Sequence, residues 1–449
     1  MRDAPSISPA RTAAFDVLLR VERDAAFASE LLHSAHYEKV SRSNHALATE
    51  LVMGVLRWRS RLDDEIAHQV SQPFARLDLE VATALRLGVY QLRWLDRIPA
   101  RAAINESVDL VKRARKRSAA PLVNAVLRKI EALAAVDPYE EIPGSNSAAA
   151  LAQSSAHPLW LVASWIGEYG IEAARQICLH DQTVPVTTIR LRSDEAESRL
   201  RSEGIELAPG ALLAGARRVM RGNVAISQTF RQGLVAIQDE GSQLVAALVG
   251  RGLHILDCCA APGGKTLALS DNNPGTPIVA AEIHPHRARL LKQLVNRESN
   301  VQVVASDARK LPLDATFDRV LADVPCSGTG TLGRNPEIKW RLTPADLADL
   351  PIRQLAILRA AMERVPVGGR VVYSTCSLQR AENENVVEQA VAGTAFRILE
   401  CAAELQRLQR EGNLVWKDIR SLARGPYLQT LPGVHPCDGF FAAVLEKAG

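Results

Sequence analysis

The most constraining feature of this 449-residue chain is the alternation of short apolar runs with helical stretches from about residue 236 onward. We predict strands at residues 253–256, 278–281, 301–304, 320–322 and 371–373, and helices at 285–298, 344–365 and 382–392. This alternation is typical of a mostly parallel sheet that helices cover on both faces. Ligands bind such sheets at the carboxyl ends of the strands, so motifs located there carry the most information.

The segment from about residue 9 to residue 132 has a different pattern, with apolar side chains at helical spacing, few glycine clusters and no strand alternation. The pattern predicts an all-α domain. Residues 1–132 contain 21 Lys/Arg against 16 Asp/Glu, and one basic run stands out at residues 112–117, Lys-Arg-Ala-Arg-Lys-Arg. The run could neutralise phosphates of a nucleic acid or simply form a solvated helix face, and both interpretations stay open.

The middle of the chain contains the domain boundaries. Residues 133–156 hold the turn-forming pairs Asp137-Pro138 and Pro143-Gly144, which indicate a linker. A helix is predicted over residues 157–170, followed by a mixed α/β pattern from about 183 to 235, with a strand at 186–191 and a polar helix at 193–203. Since 449 residues exceed one hydrophobic core, we predict three domains, at residues 1–135, 136–235 and 236–449.

Composition excludes several classes of protein. No apolar run approaches the roughly 18 residues that span a bilayer, and residues 1–5 lack the apolar stretch of a signal peptide, so we expect a cytosolic protein without a membrane partner. The seven cysteines show no zinc-ligand spacing, and disulfides are unusual in the cytosol, which predicts free thiols and no metal. The net charge of +4 argues only weakly for a polyanionic partner.

The first predicted strand of the α/β region ends in a glycine loop, residues 257–266, Asp-Cys-Cys-Ala-Ala-Pro-Gly-Gly-Lys-Thr. Its small residues let the backbone approach a ligand, and the following helix offers free N–H groups to a carboxylate. A phosphate-binding loop would need a glycine at the position of Cys259, and the loop is not G-x-G-x-x-G. Nucleotide triphosphatases and dinucleotide enzymes are therefore disfavoured.

The next three strands each end in an acid, Glu282, Asp307 and Asp323. Glu282 lies about 25 residues after Asp257, where an acid can accept both ribose hydroxyls. Asp307 could accept an adenine amino hydrogen. One strand-end acid could be only a helix cap, but three in succession after a glycine loop fit an adenosyl ligand with an amino-acid tail.

Two cysteines follow adjacent predicted strands, Cys326 in Pro-Cys-Ser-Gly and Cys376 in Ser-Thr-Cys-Ser. A thiolate that adds to carbon 6 of a pyrimidine makes carbon 5 able to attack a methyl sulfonium, and a base must then remove the carbon 5 proton. Two cysteines and an acid at one sheet edge suit this scheme. A lone cysteine is more often buried and structural, which is our interpretation of Cys178, Cys401 and Cys437. We interpret Cys258 and Cys259 in the same way.

The chain resembles the Sun/Fmu family of RNA cytosine-5 methyltransferases in three separate motifs, at residues 257–266, 317–328 and 374–377, in the family's order. Residues 238–243 and 438–441 resemble the segments that flank its catalytic domain. Residues 85–92, 103–108 and 123–128 resemble the helical domain of the antiterminator NusB. The resemblance covers nearly the whole chain, except residues 403–433, to which we assign no role.

The resemblance implies a Rossmann-like methyltransferase domain, preceded by an all-α NusB-like domain and a small α/β RNA-binding subdomain. Cys376 would be the nucleophile, Cys326 would assist proton removal and release of the enzyme, and Asp323 would contact cofactor and cytosine. The residues implied to hold S-adenosylmethionine are Cys259, Ala260, Ala261, Pro262, Gly263, Gly264, Lys265, Glu282, Asp307 and Asp323. Two small departures are Glu282, where an aspartate is expected, and Cys258, where alanine or leucine is common.

The family implies an enzyme that forms 5-methylcytosine in 16S ribosomal RNA, and we expect it to be a monomer. The target base would have to be unstacked into the pocket, so single-stranded or looped RNA is the easier substrate. Two alternatives stay open. One is a non-catalytic RNA-binding assembly or antitermination factor, against which the intact cysteine motifs speak. The other is a methyltransferase that acts on transfer RNA or DNA, because the NusB-like domain favours ribosomal RNA only by analogy.

Overall fold

The computed structural model describes residues 7–34, 41–134, 139, 142, 146–311 and 315–449. The chain forms two compact units: unit 1 comprises Met1–Val184 and Leu332–Arg341, and unit 2 comprises Pro185–Thr331 and Leu342–Gly449. The linker residues Asp137-Pro138 and Pro143-Gly144 lie outside the described residues. The three-domain division therefore stays a prediction.

In the described residues of unit 1, all regular secondary structure is helical, as the apolar spacing predicts. Its first helix begins where Ser8 accepts a hydrogen bond from the Arg11 amide, with Pro9 in the first turn. The helices are α1 (Pro9–Asp24), α2 (Ala28–Leu32), α3 (Arg42–Arg57), α4 (Arg59–Ala67), α5 (Leu79–Trp94), α6 (Ala100–Arg113), α7 (Ala120–Ala132), α8 (Ala148–Ser154) and α9 (Leu159–Gln182). The helix predicted at 157–170 continues to Gln182 beyond a break at Gly170, whose φ is 83°.

Close helix packing explains one glycine of unit 1. A Cβ atom at Gly54 on α3 would overlap the ring of Tyr90 on α5. That ring's hydroxyl group donates to Glu50, which also belongs to α3, at 2.6 Å. The absence of a side chain at Gly54 therefore lets α5 approach α3 while the tyrosine keeps its hydrogen bond.

The ten residues Leu332–Arg341, which end in the short helix α15 (Ile338–Arg341), pack within unit 1 through their side chains. The buried Lys339 ammonium donates to the carbonyls of Arg57 and Ala156, at 2.9 and 3.1 Å. The Trp340 indole donates to the carbonyl of Leu56 at 2.6 Å. Arg57 is the last residue of α3, so these donors satisfy carbonyl groups that the end of a helix leaves without a partner.

The basic run at 112–117 lies at the end of α6 and in the following turn, where acids neutralise part of it. Lys112 pairs with Asp109 at 2.8 Å, Arg113 with Asp16 at 2.7 Å, and Lys116 with Asp78 at 2.9 Å. These ion pairs favour the interpretation of the run as a solvated helix face over its interpretation as a phosphate-binding site.

Unit 2 begins with a small antiparallel sheet of order β2-β3-β1-β4. Its strands are β1 (Thr188–Leu191), β2 (Glu206–Pro209), β3 (Ala216–Arg221) and β4 (Val235–Ile237). Two helices accompany it, α10 (Ala196–Ser202) and α11 (Gln228–Arg231). The strand predicted at 186–191 and the helix predicted at 193–203 are both present, with shorter bounds.

The larger sheet of unit 2 has the order β11-β12-β13-β9-β8-β5-β6-β7, with β10 paired to β13. Strands β7, β6, β5, β8 and β9 are parallel, and β10 to β13 join antiparallel. The strands are β5 (Ile255–Asp257), β6 (Ile278–Glu282), β7 (Val301–Ala305), β8 (Arg319–Asp323), β9 (Arg370–Thr375), β10 (Phe396–Leu399), β11 (Ala423–Arg424), β12 (Tyr427–Gln429) and β13 (Phe441–Lys447). All five predicted strands are present, so the predicted Rossmann-like fold class is confirmed.

Helices cover both faces of this sheet, each over its own hydrophobic core. Leu244 and Leu405 lie in one core, and Leu358 and Val386 in the other. The helices are α12 (Glu240–Val249), α13 (Gly264–Asn272), α14 (Pro285–Leu294), α16 (Asp346–Glu363), α17 (Glu384–Val391) and α18 (Cys401–Arg410). Residues 403–433, to which the sequence assigns no role, supply most of α18 together with β11 and β12, and so widen the sheet.

Candidate active site

The predicted site residues lie at the carboxyl ends of the parallel strands. Asp257 ends β5, Glu282 ends β6 and Asp323 ends β8. Asp323 is the register partner of Ser374 on β9, two residues before Cys376. Because the strands are parallel and in this register, the loops that carry the two cysteines leave the sheet at the same edge.

The two candidate catalytic cysteines are in contact as free thiols. The Cys326 and Cys376 sulfur atoms lie 3.3 Å apart, and both residues are half-buried. The hydrogen bond to Cys376 and burial hold the pKa of the Cys326 thiol well above its ordinary value. Cys326 therefore keeps its proton at neutral pH.

A buried carboxylate that the sequence reasoning missed connects the two cysteine loops. Glu382, which is fully buried, accepts hydrogen bonds from the Ser327 amide at 2.8 Å and the Ser377 hydroxyl at 2.6 Å. Ser327 and Ser377 directly follow the two cysteines. The Gln354 side chain donates to Glu382 at 2.9 Å and to the Pro325 carbonyl at 3.0 Å. One carboxylate thus fixes the loops relative to each other.

Backbone contacts close the same junction. The Gly330 amide donates to the carbonyl of Cys376 at 2.8 Å, and the Gly439 amide donates to the carbonyl of Gly330 at 2.7 Å. A Cβ atom at Gly330 would overlap the Gly439 backbone, so only glycine allows this approach. Gly330 and Gly439 therefore link the loop that follows Cys326, the loop of Cys376 and the motif at 438–441.

Lys265 places a positive charge beside the thiols. Its ammonium lies 2.8 Å from Asp323 and 4.9 Å from the centre of the Phe440 ring. The Ser374 hydroxyl donates to the other oxygen of Asp323 at 2.7 Å. Burial opposes the charged form, but the neighbouring Asp323 and the Cys376 side chain outweigh it and raise the pKa of Lys265. The lysine is therefore charged and favours negative charge on Cys376.

The predicted cofactor loop has the shape that a close ligand needs. Gly263 has a φ of 112°, and a Cβ atom there would lie 2.7 Å from side-chain carbons of Leu291 and Leu294. Helix α13 begins at Gly264, and no side chain of the residue before it caps its first turn. Its N–H groups are thus available to an anionic group such as a carboxylate.

Asp257, at the start of the loop, has an orphan oxygen. One carboxylate oxygen accepts from the Thr266 hydroxyl at 2.7 Å, and the other is buried without a hydrogen-bond partner among the residues described. Burial raises the pKa of Asp257 to about 7. An unsatisfied buried acceptor is costly, and an ammonium group would satisfy it. A free N-terminal helix turn and an orphan acid together fit an amino acid that carries both charges.

The remaining strand-end acids have different surroundings. Glu282 is 4% exposed and accepts from the His284 amide at 2.9 Å. Asp307, predicted as an adenine contact, is instead engaged by Arg309, which donates to both carboxylate oxygens, at 3.0 Å from Nε and 2.6 Å from Nη2. That ion pair holds the pKa of Asp307 below its ordinary value. Any contact of Asp307 with a ligand would have to share the carboxylate with Arg309.

Of the other five cysteines, four are buried as the sequence suggests, whereas Cys259 is only half-buried. Cys178, Cys401 and Cys437 are buried, and Cys258 is buried in the core beneath the loop. Within the residues described, no cluster of three or more His, Cys, Asp or Glu side chains could hold a metal ion. None of the described helices is both long enough and apolar enough to cross a membrane.

Comparison with known proteins places these features in a family. A family model described as 16S rRNA methyltransferase RsmB/F matches residues 249–446, and a NusB family model matches residues 8–132. A Bacillus subtilis protein named probable ribosomal RNA small subunit methyltransferase B is 36% identical over 98% of this chain and 99% of its own length. A Synechocystis protein of the same name is 31% identical, with coverage of 98% and 99%.

Among solved structures, a crystal structure described as PH0851 aligns with a TM-score of 0.80 over 98% of this chain and 99% of that chain, at 23% identity. At that identity the match speaks for the fold. The predicted helical NusB domain and the methyltransferase domain after it are both confirmed. The chain belongs to the RsmB family of S-adenosylmethionine-dependent ribosomal RNA methyltransferases.

Proposed function

We propose that this protein forms 5-methylcytosine in 16S ribosomal RNA, with Cys376 as the nucleophile and Cys326 as the group that permits its release. The observation that carries the proposal is the contact between the two thiols, 3.3 Å apart at adjacent strand ends. The reaction needs one sulfur that attacks the base and a second group that accepts its proton, so both groups must lie within reach of the same cytosine.

The site fits S-adenosylmethionine in the residues described above. The uncapped first turn of α13 would hold its carboxylate, Asp257 its ammonium group and Glu282 its ribose hydroxyls. The backbone from Cys259 to Gly264 would lie along it, and Lys265, Asp307 and Asp323 complete the set that the resemblance implies. When bound, S-adenosylmethionine supplies the methyl group that carbon 5 takes up.

In the first step, the Cys376 thiolate adds to carbon 6 of the cytosine. The positive charge of Lys265 favours that thiolate, and the Cys326 S–H donates to it. The new carbon–sulfur bond uses a sulfur lone pair, and the electrons of the carbon 5–carbon 6 double bond move toward carbon 5. Carbon 5 becomes nucleophilic, which the free base does not offer.

In the last step, the carbon 5 proton must leave. While Cys376 is a thiolate, it is the largest reason why Cys326 stays protonated. Once Cys376 is bonded to carbon 6, that negative charge is gone, so the half-buried Cys326 can release its own proton to water and then, as a thiolate, accept the proton of carbon 5. The electrons of the C–H bond restore the double bond, and Cys376 leaves as a thiolate. Release of the enzyme therefore depends on Cys326.

The test is methyl transfer from labelled S-adenosylmethionine to transcribed 16S ribosomal RNA, followed by nucleoside analysis. We expect the label in 5-methylcytosine. Label in a different nucleoside, or no transfer to any ribosomal RNA, would refute the proposal. Transfer RNA and single-stranded DNA serve as parallel substrates, and a preference for either would show that the 16S assignment is wrong while the chemistry stands.

A further inference from the structure

One stretch of unit 2 is far more basic than the chain around it. Residues 283–297 contain four Lys/Arg and no Asp/Glu, whereas the whole chain has 54 Lys/Arg against 50 Asp/Glu. The stretch forms α14 and the turn after it, and all four cations are exposed: Arg287, Arg289, Lys292 and Arg297. We call these four side chains the α14 basic surface.

The cations of this surface are not neutralised by acids. Within the residues described, no carboxylate lies within ion-pair distance of Arg287, Arg289, Lys292 or Arg297, whereas three cations of the run at 112–117 have acid partners. Arg297 donates instead to the backbone carbonyls of Arg231 and Gln232, which places the exposed Arg231 beside the surface. The four cations are thus available to an anionic partner.

The surface borders the cofactor loop. The Arg287 guanidinium lies 3.4 Å from the carbonyl oxygen of Ala261, to which it donates, and Leu291 and Leu294 of α14 pack beside Gly263. Glu282, the strand-end acid at the site, immediately precedes this stretch. Arg287 thus places α14 beside the carboxyl edge of the sheet, the edge from which the cysteine loops also leave.

We propose that the α14 basic surface binds backbone phosphates of the RNA that flanks the target base. The inference rests on the proposed function, because it takes RNA as the substrate. Cations that neutralise phosphates release counterions, and each contact to single-stranded nucleic acid adds about 0.7 to the slope of log affinity against log salt. Two such cations therefore contribute about 1.4 to this slope. That contribution corresponds to roughly 25-fold higher affinity at 0.1 M salt than at 1 M salt.

The experiment compares the full-length protein with two double variants of equal charge change. Arg289→Gln/Lys292→Gln removes two cations of the α14 basic surface that contact neither the cofactor loop nor the cysteines. Lys112→Gln/Arg113→Gln removes two ion-paired cations of unit 1. Binding of a fluorescein-labelled single-stranded RNA is measured by anisotropy across a salt series, and thermal melting confirms that each variant is folded.

We expect the α14 variant to lose about 25-fold in affinity at 0.1 M salt and about 1.4 in slope, and the unit 1 variant to bind nearly as the parent does. The KM of the α14 variant for ribosomal RNA should rise, while its kcat at saturating RNA should equal that of the parent. An unchanged affinity and KM in the α14 variant would overturn the proposal, as would equal losses in both variants. A parent protein that neither binds nor methylates RNA would overturn the proposed function first, and this inference with it.

Discussion

Replacing Glu382 with alanine tests whether one carboxylate holds the catalytic junction together. The side chain is fully buried and accepts from the Ser327 amide, the Ser377 hydroxyl and the Gln354 amide group. After the substitution, Gln354 still has the Pro325 carbonyl, and Ser377 still has the Ser327 hydroxyl 3.0 Å away. The Ser327 amide, next to Cys326, loses its acceptor.

The size of the effect follows from these contacts. A buried donor without a partner costs about 1–3 kcal/mol, and the void left by the shortened side chain adds to it. Removing a buried charge offsets part of the cost. We expect Glu382→Ala to lower the free energy of unfolding by about 2–4 kcal/mol and, since a misplacement of about 1 Å can cost 100-fold in rate, methyl transfer by about 100-fold.

Glu382→Gln is the matched control, because it keeps the shape and one acceptor oxygen while removing the charge. The Glu382 charge is one of the causes that raise the pKa of Cys326, after the hydrogen bond to Cys376 and burial. Without it Cys326 ionises at lower pH, so the limb of the pH–rate profile that reports Cys326 should move to lower pH. Urea unfolding and single-turnover methyl transfer measure both effects. A Glu382→Ala variant with parental stability and rate would refute the reasoning.

Four further variants test the site and unit 1. Cys376→Ala should abolish methyl transfer to RNA, whereas Cys326→Ala should accumulate a covalent protein–RNA adduct, visible as a shifted band in a denaturing gel; an active, adduct-free Cys326→Ala variant contradicts the assigned role. Lys265→Met removes the cation beside Cys376, so alkylation of Cys376 by iodoacetamide at a fixed pH should slow, and an unchanged rate would contradict the electrostatic role. Burial lowers the pKa of Lys339 to about 7 from 10.5, so the folded chain binds fewer protons than the unfolded chain between these values. Stability should rise with pH across that window in the parent and flatten in Lys339→Met, as thermal melts at several pH values would show.

Much of the site was predictable because residues that follow parallel strands all lie at the same edge of the sheet. A cysteine that follows a strand end must lie at the carboxyl edge, so Cys326 and Cys376 could be brought to one edge from the sequence alone. Their 3.3 Å separation depends on groups that periodicity does not mark. Glu382 starts no strand and belongs to no charge pattern, and its partners are 55 and 28 residues away in the chain.

Charge runs were less informative than motifs, for a physical reason. The basic run at 112–117 looks uncompensated in sequence, but Arg113 meets Asp16, which lies 97 residues earlier. The α14 basic surface has no such run, because apolar and uncharged residues separate its cations. Net exposure of charge depends on long-range pairing. Local sequence therefore overestimates the unpaired positive charge of the run at 112–117 and underestimates that of the α14 basic surface.

The assignment of Leu332–Arg341 to unit 1 also depends on long-range pairing. The segment follows soon after Cys326, yet Glu337 accepts from the amide of Ala28 at the start of α2, and Lys339 and Trp340 cap the end of α3. An acceptor thus meets the amino end of one helix and two donors meet the carboxyl end of another, which satisfies backbone groups that helix termini leave without partners. Deleting residues 1–184 would expose Glu337 and Lys339 without these partners. The helical unit therefore cannot be removed without disturbing a segment continuous with the Cys326 loop.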